Sequence, residues 1–249
     1  MTSVLLGQPS DPNIKALIPH FDLLIDQTDI VEWDVNDDIL TVNGRDINMT
    51  SYFGRANVFE QNTEQKRDTF YLLKNYVEAH ENVNRYNKGY NYETPMKAYN
   101  LFEAQRLGLR VPRTMIGYAP NYAASIKKPL TGGKHVIIGN RSLSPAILQE
   151  RQPGRNFRLF IVGGDVFTFE VQSKFLDYRD DPKVAVVPAR MDAELISKAK
   201  QLTYVLGLDF CAMDFMEDVF LEVNTGPMFA AFDAQVAGSL SLAIAENIR

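Results

Sequence analysis

The period of apolar and polar positions changes repeatedly along the chain, and each change marks an element. SVLLG (3–7) is continuously apolar and predicts a buried strand, whereas DIVEWDV (29–35) alternates and predicts a half-buried one. ILTVNGRDI (39–47) predicts a hairpin, with Asn43-Gly44 at a turn that needs positive φ twice. SYFGRANVF (51–59) predicts a further strand. From Thr63 to about His80 the period becomes helical, with Phe70, Leu73 and Val77 on one stripe. NVNRYNKGYNYE (82–93) is polar and aromatic and predicts a loop at a boundary. Thr94-Pro95 opens a helix that runs to Leu107 and stops at Gly108, since proline fits a first helical turn. RTMIGY predicts a strand, ASIKKPLTGGKHVIIG a strand, glycine-containing loop and strand, and AILQE (146–150) another strand. NFRLFIVGGDVFTFEVQ predicts a hairpin around Gly163-Gly164, and a helix follows from about Asp192 to Leu206. DFCAMDFMEDVFLEVN predicts a second hairpin, and Ala237 to Ile248 a closing helix. There are no internal repeats and no low-complexity segments. This succession predicts an α/β or α+β fold with mixed sheets.

Composition narrows the function classes. The 249 residues suffice for one large domain or two to three subdomains. Apolar residues at 45% and charged residues at 23% suit a soluble globular protein. A net charge of −5 argues against a nucleic-acid partner. No apolar stretch approaches the roughly 18 residues that cross a bilayer, so no membrane partner is expected. The start, MTSVLLGQPSD, lacks the basic region and long apolar segment of a signal peptide, so a cytoplasmic location is expected. The single Cys211 lies in an apolar run and reads as a small buried hydrophobe. His20, His80 and His135 are scattered without metal-ligand spacing and read as surface or supporting residues.

Candidate chemistry concentrates near the C-terminal end. In VFLEVNTGPMF (219–229) an apolar run enters a core, and then Glu222 and Asn224 arrive two residues apart on one strand face. Asp214 lies on the preceding strand, and the turn at Glu217-Asp218 brings the two strands together. Three hard oxygen donors at one end of a hairpin suit Mg²⁺, which binds through one or two carboxylates plus phosphate oxygens. The same residues also read as an exposed strand edge with Glu222 as its cap and Asn224 starting a turn. Upstream, Lys128 ends a strand before PLTGGKHV, where Gly132 and Gly133 let backbone approach phosphates and Lys134 adds charge. That loop lacks the Gly-Lys-Ser/Thr of a P-loop and also reads as a hairpin turn between solvated lysines.

The order of these segments, from Lys97 through IKKPLTGGKHV, ILQE, GRNFRLFIVGG and AMDF to FLEVNTGP, resembles the ATP-grasp superfamily. It is most similar to the branch containing the ribosomal-protein glutamate ligase and the ligases that cyclise microviridin-type peptides. The resemblance covers about residues 84–249; LEVNTGP with its upstream aspartate is its most specific element, and NFRLFIVGG after ILQE the next. It implies a small α/β N-terminal domain (1–90), a reduced lid subdomain (91–152) and a C-terminal subdomain with a metal site (153–249), ATP being gripped between two antiparallel sheets. By the same resemblance Lys97 and Lys128 contact the α- and β-phosphates, and the backbone at Gln149, Glu150 and Arg151 is the hinge that reads adenine. Arg158 stabilises an acyl-phosphate and its tetrahedral successor, and Asp214, Glu222 and Asn224 ligate magnesium. The implied activity is an ATP- and Mg²⁺-dependent ligation of a small-molecule or peptide carboxylate to an amine, in natural-product or peptide modification, with no side-chain nucleophile required and a homodimer among the assemblies allowed.

The sequence also departs from that pattern. Only 20 residues separate Lys128 from Gln149, so the lid is trimmed. No acid follows Glu150 in QERQPGRN to hold the ribose, and Asn156 stands where relatives carry an acid two before the arginine. LDYR (176–179) places Arg179 either towards a substrate or in a solvated loop beside Asp177, Asp180 and Asp181. Two other readings remain on the same scaffold: an ATP-binding regulatory module of the synapsin kind, and a small-molecule kinase.

Overall fold

The computed structural model describes residues 1–26, 28–55, 64–88, 96–118, 126–130, 137–138 and 145–249, with backbone alone for 64–66 and 137–138. The chain forms two compact units, one of residues 1–86 with 228–249 and one of residues 87–227.

The first unit opens with β1 (Thr2–Leu6), α1 (Pro12–Leu17), β2 (Leu23–Ile25), β3 (Val31–Asp34), β4 (Ile39–Val42), β5 (Arg45–Asp46), β6 (Met49–Gly54) and α2 (Glu64–Ala79). The apolar β1 is the centre of a parallel sheet, β2-β1-β6, as its continuous burial requires. A separate antiparallel sheet, β3-β4-β5, turns at Asn43 (φ 52) and Gly44 (φ 72), the two positive φ angles that the Asn-Gly pair supplies. Leu73 and Val77 of α2 pack with Val4, Leu40, Val42 and Met49 in one core. Residues 56–59 of the expected strand 51–59 lie outside the described residues, and β6 ends at Gly54.

His80 joins this helix to the β3–β4 hairpin. Its Nε2 lies 3.0 Å from both carboxylate oxygens of Asp38, and its Nδ1 lies 2.6 Å from the Tyr76 carbonyl. Trp33 donates its indole N–H to the same Asp38 at 3.1 Å, and the imidazole stacks on Tyr76 at 4.0 Å. Both ring nitrogens face acceptors, an arrangement that only the doubly protonated ring satisfies. The hydrogen bond to Asp38, then that to the Tyr76 carbonyl, hold the His80 pKa above its ordinary value.

The second unit holds α3 (Lys97–Arg106), β7 (Thr114–Gly117), β8 (Ile126–Pro129), β9 (Ile137–Ile138), β10 (Ala146–Gln149), β11 (Asn156–Val162), β12 (Asp165–Gln172), β13 (Ala185–Pro188), α4 (Ala193–Leu206), β14 (Phe210–Met216) and β15 (Val219–Asn224). Two antiparallel sheets result, ordered β7-β10-β8-β9 and β13-β12-β11-β14-β15. In the larger sheet alternation sends Phe157, Leu159 and Ile161 of β11 and Cys211, Met213 and Phe215 of β14 into a core with Leu101 and Ala104 of α3 and Ala199, Leu202 and Leu206 of α4. Cys211 is buried there, as its apolar run predicts. The alternate residues of the same strands, among them Arg158 and Asp214, therefore face the other way. Asp192 caps α4 by accepting the N–H groups of Glu194 and Leu195. Thr94-Pro95 lie outside the described residues; α3 starts after Met96 with no side-chain cap.

Asn87, within the expected loop, is a structural clasp. It adopts φ 56, and its Oδ1 accepts the N–H groups of Asp209 and Phe210 at 2.9 Å each. Its Nδ2 donates to the carbonyls of Phe210 (2.8 Å) and Thr225 (3.2 Å), and its backbone N–H donates to Asp209 Oδ1 at 2.6 Å. One side chain thus pins the start of β14 to the end of β15.

The chain then returns to the first unit through α5 (Ala230–Asp233) and α6 (Ser239–Ile248). The buried Asn13 Oδ1 accepts the N–H groups of Phe229 (2.7 Å) and Ala230 (2.9 Å). Two left-handed residues, Ala237 and Gly238, delay α6 to Ser239, and Asp233 Oδ1 accepts the N–H groups of Leu240 and Ser241. Among the described residues no helix is long and apolar enough to cross a membrane.

Replacing Asn87 by alanine removes four side-chain hydrogen bonds to the backbone of Asp209, Phe210 and Thr225, so stability should fall by about 2–4 kcal/mol in urea unfolding. The His80 contribution has the opposite dependence to that of a carboxylate. Because the folded pKa is raised, it is complete below the unfolded value of about 6.5 and is lost as pH rises through the folded value. Urea midpoints should decline over that interval, and His80→Gln should flatten the decline; an unchanged slope would show that His80 is not its source.

Candidate active site

A transverse row of side chains crosses the larger sheet. The ladder sets Arg158 of β11 opposite Asp214 of β14, and Asp214 opposite Glu222 of β15. Asn224 follows opposite Ala212. Regular alternation would place Glu222 on the same face as Phe220, in the core. A bulge between Asp214 and Phe215 of the ladder prevents this: Phe215 pairs with Phe220 and Asp214 with Glu222, so Leu221 is the extra residue. Phe220 and Val223, three apart, therefore both reach the core, while Glu222 emerges beside Asp214. The bulge is how an apolar run that has gone inside delivers a carboxylate to the opposite face.

Arg158 and Asp214 form the centre of the row. Arg158 Nη1 lies 3.1 Å from Asp214 Oδ1 and 3.3 Å from Oδ2, with the arginine side chain 6% and the aspartate 13% exposed. Burial pushes the Asp214 carboxyl above its ordinary range, against the pull of the Arg158 guanidinium. Burial disfavours the Arg158 charge, but Asp214, Tyr178 and Glu222 more than offset it, and the guanidinium stays cationic. The Tyr178 hydroxyl accepts from Arg158 Nη1 at 2.7 Å, and burial pushes that phenol up to about 12. Asn224 donates Nδ2 to Asp214 Oδ2 at 3.1 Å, which turns its own Oδ1 away from that carboxylate.

Two lysines from different elements meet at Glu222. Lys97, the first residue of α3, and Lys128, the third of β8, each place Nζ 3.9 Å from Glu222 Oε2. Lys128 is almost fully buried, with 8% of its side chain exposed. Thus Lys97, Lys128, Arg158, Asp214, Glu222 and Asn224 are brought together. Gln149 ends β10 with no exposed surface; its Nε2 donates to Thr114 Oγ1 at 3.1 Å, and its buried Oε1 has no hydrogen-bond partner among the described residues. Glu150 and Arg151 follow it as exposed residues, and the Glu150 N–H is already spent on the Arg113 carbonyl at 2.9 Å. Gly132 and Gly133, together with Lys134 and His135, lie outside the described residues.

The donor set fits Mg²⁺. Among the described residues no group of three or more histidine, cysteine, aspartate or glutamate side chains gathers to hold a metal. Mg²⁺ does not require one, since two carboxylates and a carboxamide oxygen leave positions for waters and phosphate oxygens. Three cations around two carboxylates likewise suit a polyanion bound with its metal.

No protein-family model matches the chain. No curated protein matches it either. Solved structures do. The ATP-grasp ligase PsnB, complexed with a phosphomimetic variant of a minimal precursor, Mg and ADP, is 18% identical, covers 99% of this chain and 98% of its own, and superposes with a TM-score of 0.76. The fold is the ATP-grasp fold. A RiPP-associated ATP-grasp ligase from Chryseobacterium gregarium, in complex with ADP and a leader and core peptide, is 16% identical with a TM-score of 0.73 over 100% of this chain and 96% of its own. The macrocyclase MdnC from Microcystis aeruginosa MRC, bound with precursor peptide MdnA, is 15% identical with a TM-score of 0.70 over 99% of both chains. The ATP-grasp fold, in its microviridin-type branch, is what the motif order of the sequence resembles.

Sequence reasoning missed Tyr178 and the bulge. Nothing in LDYR distinguishes a half-buried, inward-turned tyrosine from a solvated loop one. The bulge had a faint signal: in VFLEVN, phenylalanine and valine three apart cannot share a face in a regular strand.

Breaking the central pair should be costly. Arg158→Met leaves the Asp214 charge buried and unpaired and should lower stability by about 3–5 kcal/mol. Lys97→Met, which removes a partner more than hydrogen-bond distance from Glu222, should change it by less than about 1 kcal/mol. Equal losses in urea unfolding would place the two ion pairs on the same footing and refute the distinction.

Proposed function

We propose that this protein is an ATP-dependent ligase that joins a carboxylate to an amine through an acyl-phosphate, and that its substrate is a peptide. The observation that carries this reading is the convergence of Lys97, Lys128, Arg158, Asp214, Glu222 and Asn224 on one face of an ATP-grasp fold. A carboxylate is a poor electrophile because its leaving group would be oxide. Transfer of the γ-phosphoryl group to its oxygen releases ADP; attack of the amine on the carbonyl carbon then expels phosphate. Both steps gather negative charge, which cations must neutralise. In this reading Lys97 and Lys128 hold the α- and β-phosphates, and Gly132 and Gly133 cover them. The backbone at Gln149, Glu150 and Arg151 lines the adenine. Arg158 faces the charge that develops at the carbonyl, and Asp214, Glu222 and Asn224 would hold Mg²⁺, which would supply neutralisation of the phosphate charge.

The peptide substrate is inferred from the solved neighbours, one bound with a precursor peptide and one with a leader and core peptide. Residues 91–152 act as the reduced lid in this reading and the C-terminal part beyond 153 carries the metal site. A cytoplasmic location supplies the ATP. One observation favours a second reading, nucleotide binding without ligation: no carboxylate lies between Glu150 and Arg158 to hold the ribose.

ATP with Mg²⁺ should raise the melting temperature, equivalent to about 2.7 kcal/mol at about 100 times the dissociation constant. Glu222→Gln keeps the size and removes the charge, so ATP binding should lose most of its Mg²⁺ dependence while the fold survives. If a calorimetric Mg²⁺ titration of Glu222→Gln matches the parent, the metal assignment is wrong. ADP and phosphate release that requires both a peptide carboxylate and an amine supports ligation; nucleotide binding without such turnover favours the second reading.

A further inference from the structure

We propose that Tyr178 is a positioning residue that fixes the Arg158 guanidinium for the transferred group; the inference rests on the ligase reading above. Tyr178 sits on a 3-10 turn (Tyr178–Asp180) in the connection between β12 and β13. That connection is built from within. Asp177 accepts the Arg179 N–H at 3.1 Å and grips its guanidinium through both oxygens at 2.8 and 2.5 Å. Asp181 accepts from Ser173 Oγ (2.7 Å) and from the N–H groups of Lys174 (3.3 Å) and Lys183 (2.9 Å). Phe175 is 54% exposed, yet the neighbouring phenol turns inward and meets Arg158 at 2.7 Å.

A terminal guanidinium nitrogen carries two hydrogens. On Arg158 Nη1 one points to Tyr178 and the other is shared between the two oxygens of Asp214. Two acceptors from different elements, one on a neighbouring strand and one on a loop, fix the plane of the group. The Phe160 ring, 5.5 Å from the guanidinium carbon, adds a face to the contact, and Tyr178 supplies the hydrogen bond on the side away from Asp214. The chemical nature of the second acceptor matters. A second carboxylate in its place would add negative charge beside Asp214 and oppose an incoming anion, whereas a phenol orients the guanidinium without adding charge. Tyr178 so acts through Arg158 and not on the substrate.

The test uses ADP, Mg²⁺ and aluminium fluoride, a mimic of the transferring phosphoryl group, and so needs no identified peptide. Calorimetry on the full chain measures the affinity for ADP·Mg²⁺ and the gain when fluoroaluminate is added. In Tyr178→Phe, ADP affinity should stay within about twofold and the gain should fall by about 10- to 100-fold, the cost of a misplaced group. In an Arg158→Lys background, Tyr178→Phe should change nothing further, because the two residues act as one unit. A parent that binds ADP without any fluoroaluminate gain refutes the ligase reading and this inference with it. A parent with the gain and a Tyr178→Phe variant that retains it refutes the inference alone. Loss of ADP affinity in parallel with the gain, or an undiminished effect in the Arg158→Lys background, also overturns it, since either marks a general structural role.

Discussion

The buried pair of Arg158 and Asp214 is the constraint around which the second unit is arranged. Two charges withdrawn from water are tolerated only when each is paired and hydrogen-bonded. Both therefore lie on central strands of the five-stranded sheet, where neighbours can reach them from either side. Tyr178 comes from the β12–β13 connection and Asn224 from β15. The reverse face of the same strands is apolar and packed by two helices, so the strands cannot slip by one residue without burying the charges in that core. Register, loop conformation and site geometry thus share one cause.

The sequence made the strands and their alternation legible because both follow from local pattern. Phe157, Leu159 and Ile161 alternate with Arg158 and Phe160, and any strand assignment puts the two sets on opposite faces. Glu222 and Asn224, two apart on one strand, were legible as sharing a face for the same reason. What local pattern does not encode is pairing. The bulge that brings Glu222 beside Asp214 depends on the partner strand. The roles of Asn87 and Tyr178 depend on residues 122 and 20 positions away. Residues 228–249 are tied to residues 1–86 by Asn13 among others, a residue whose sequence context marks only the start of a short helix. His80 is another such case: its isolation in the sequence hides the acceptors on both sides of its ring.

The two kinds of ion pair in the site differ in a way that the proposed chemistry would use. Arg158 is hydrogen-bonded to Asp214 at 3.1 Å and to Tyr178 at 2.7 Å. Lys97 and Lys128 stand 3.9 Å from Glu222, close enough for Coulombic attraction but beyond the 2.7–3.2 Å of an ordinary hydrogen bond. Moving a hydrogen-bonded guanidinium out of a buried pair costs several kcal/mol, more than re-partnering an ammonium that has no hydrogen bond to its carboxylate to break. A group that serves the transition state gains from being fixed in advance, since reorganisation during the reaction raises the barrier. A group that receives a ligand in the ground state must exchange one partner for another. The hydrogen-bonded arginine suits the first role and lysines held at 3.9 Å from Glu222 suit the second, which is the division of labour that the proposed ligation asks of them.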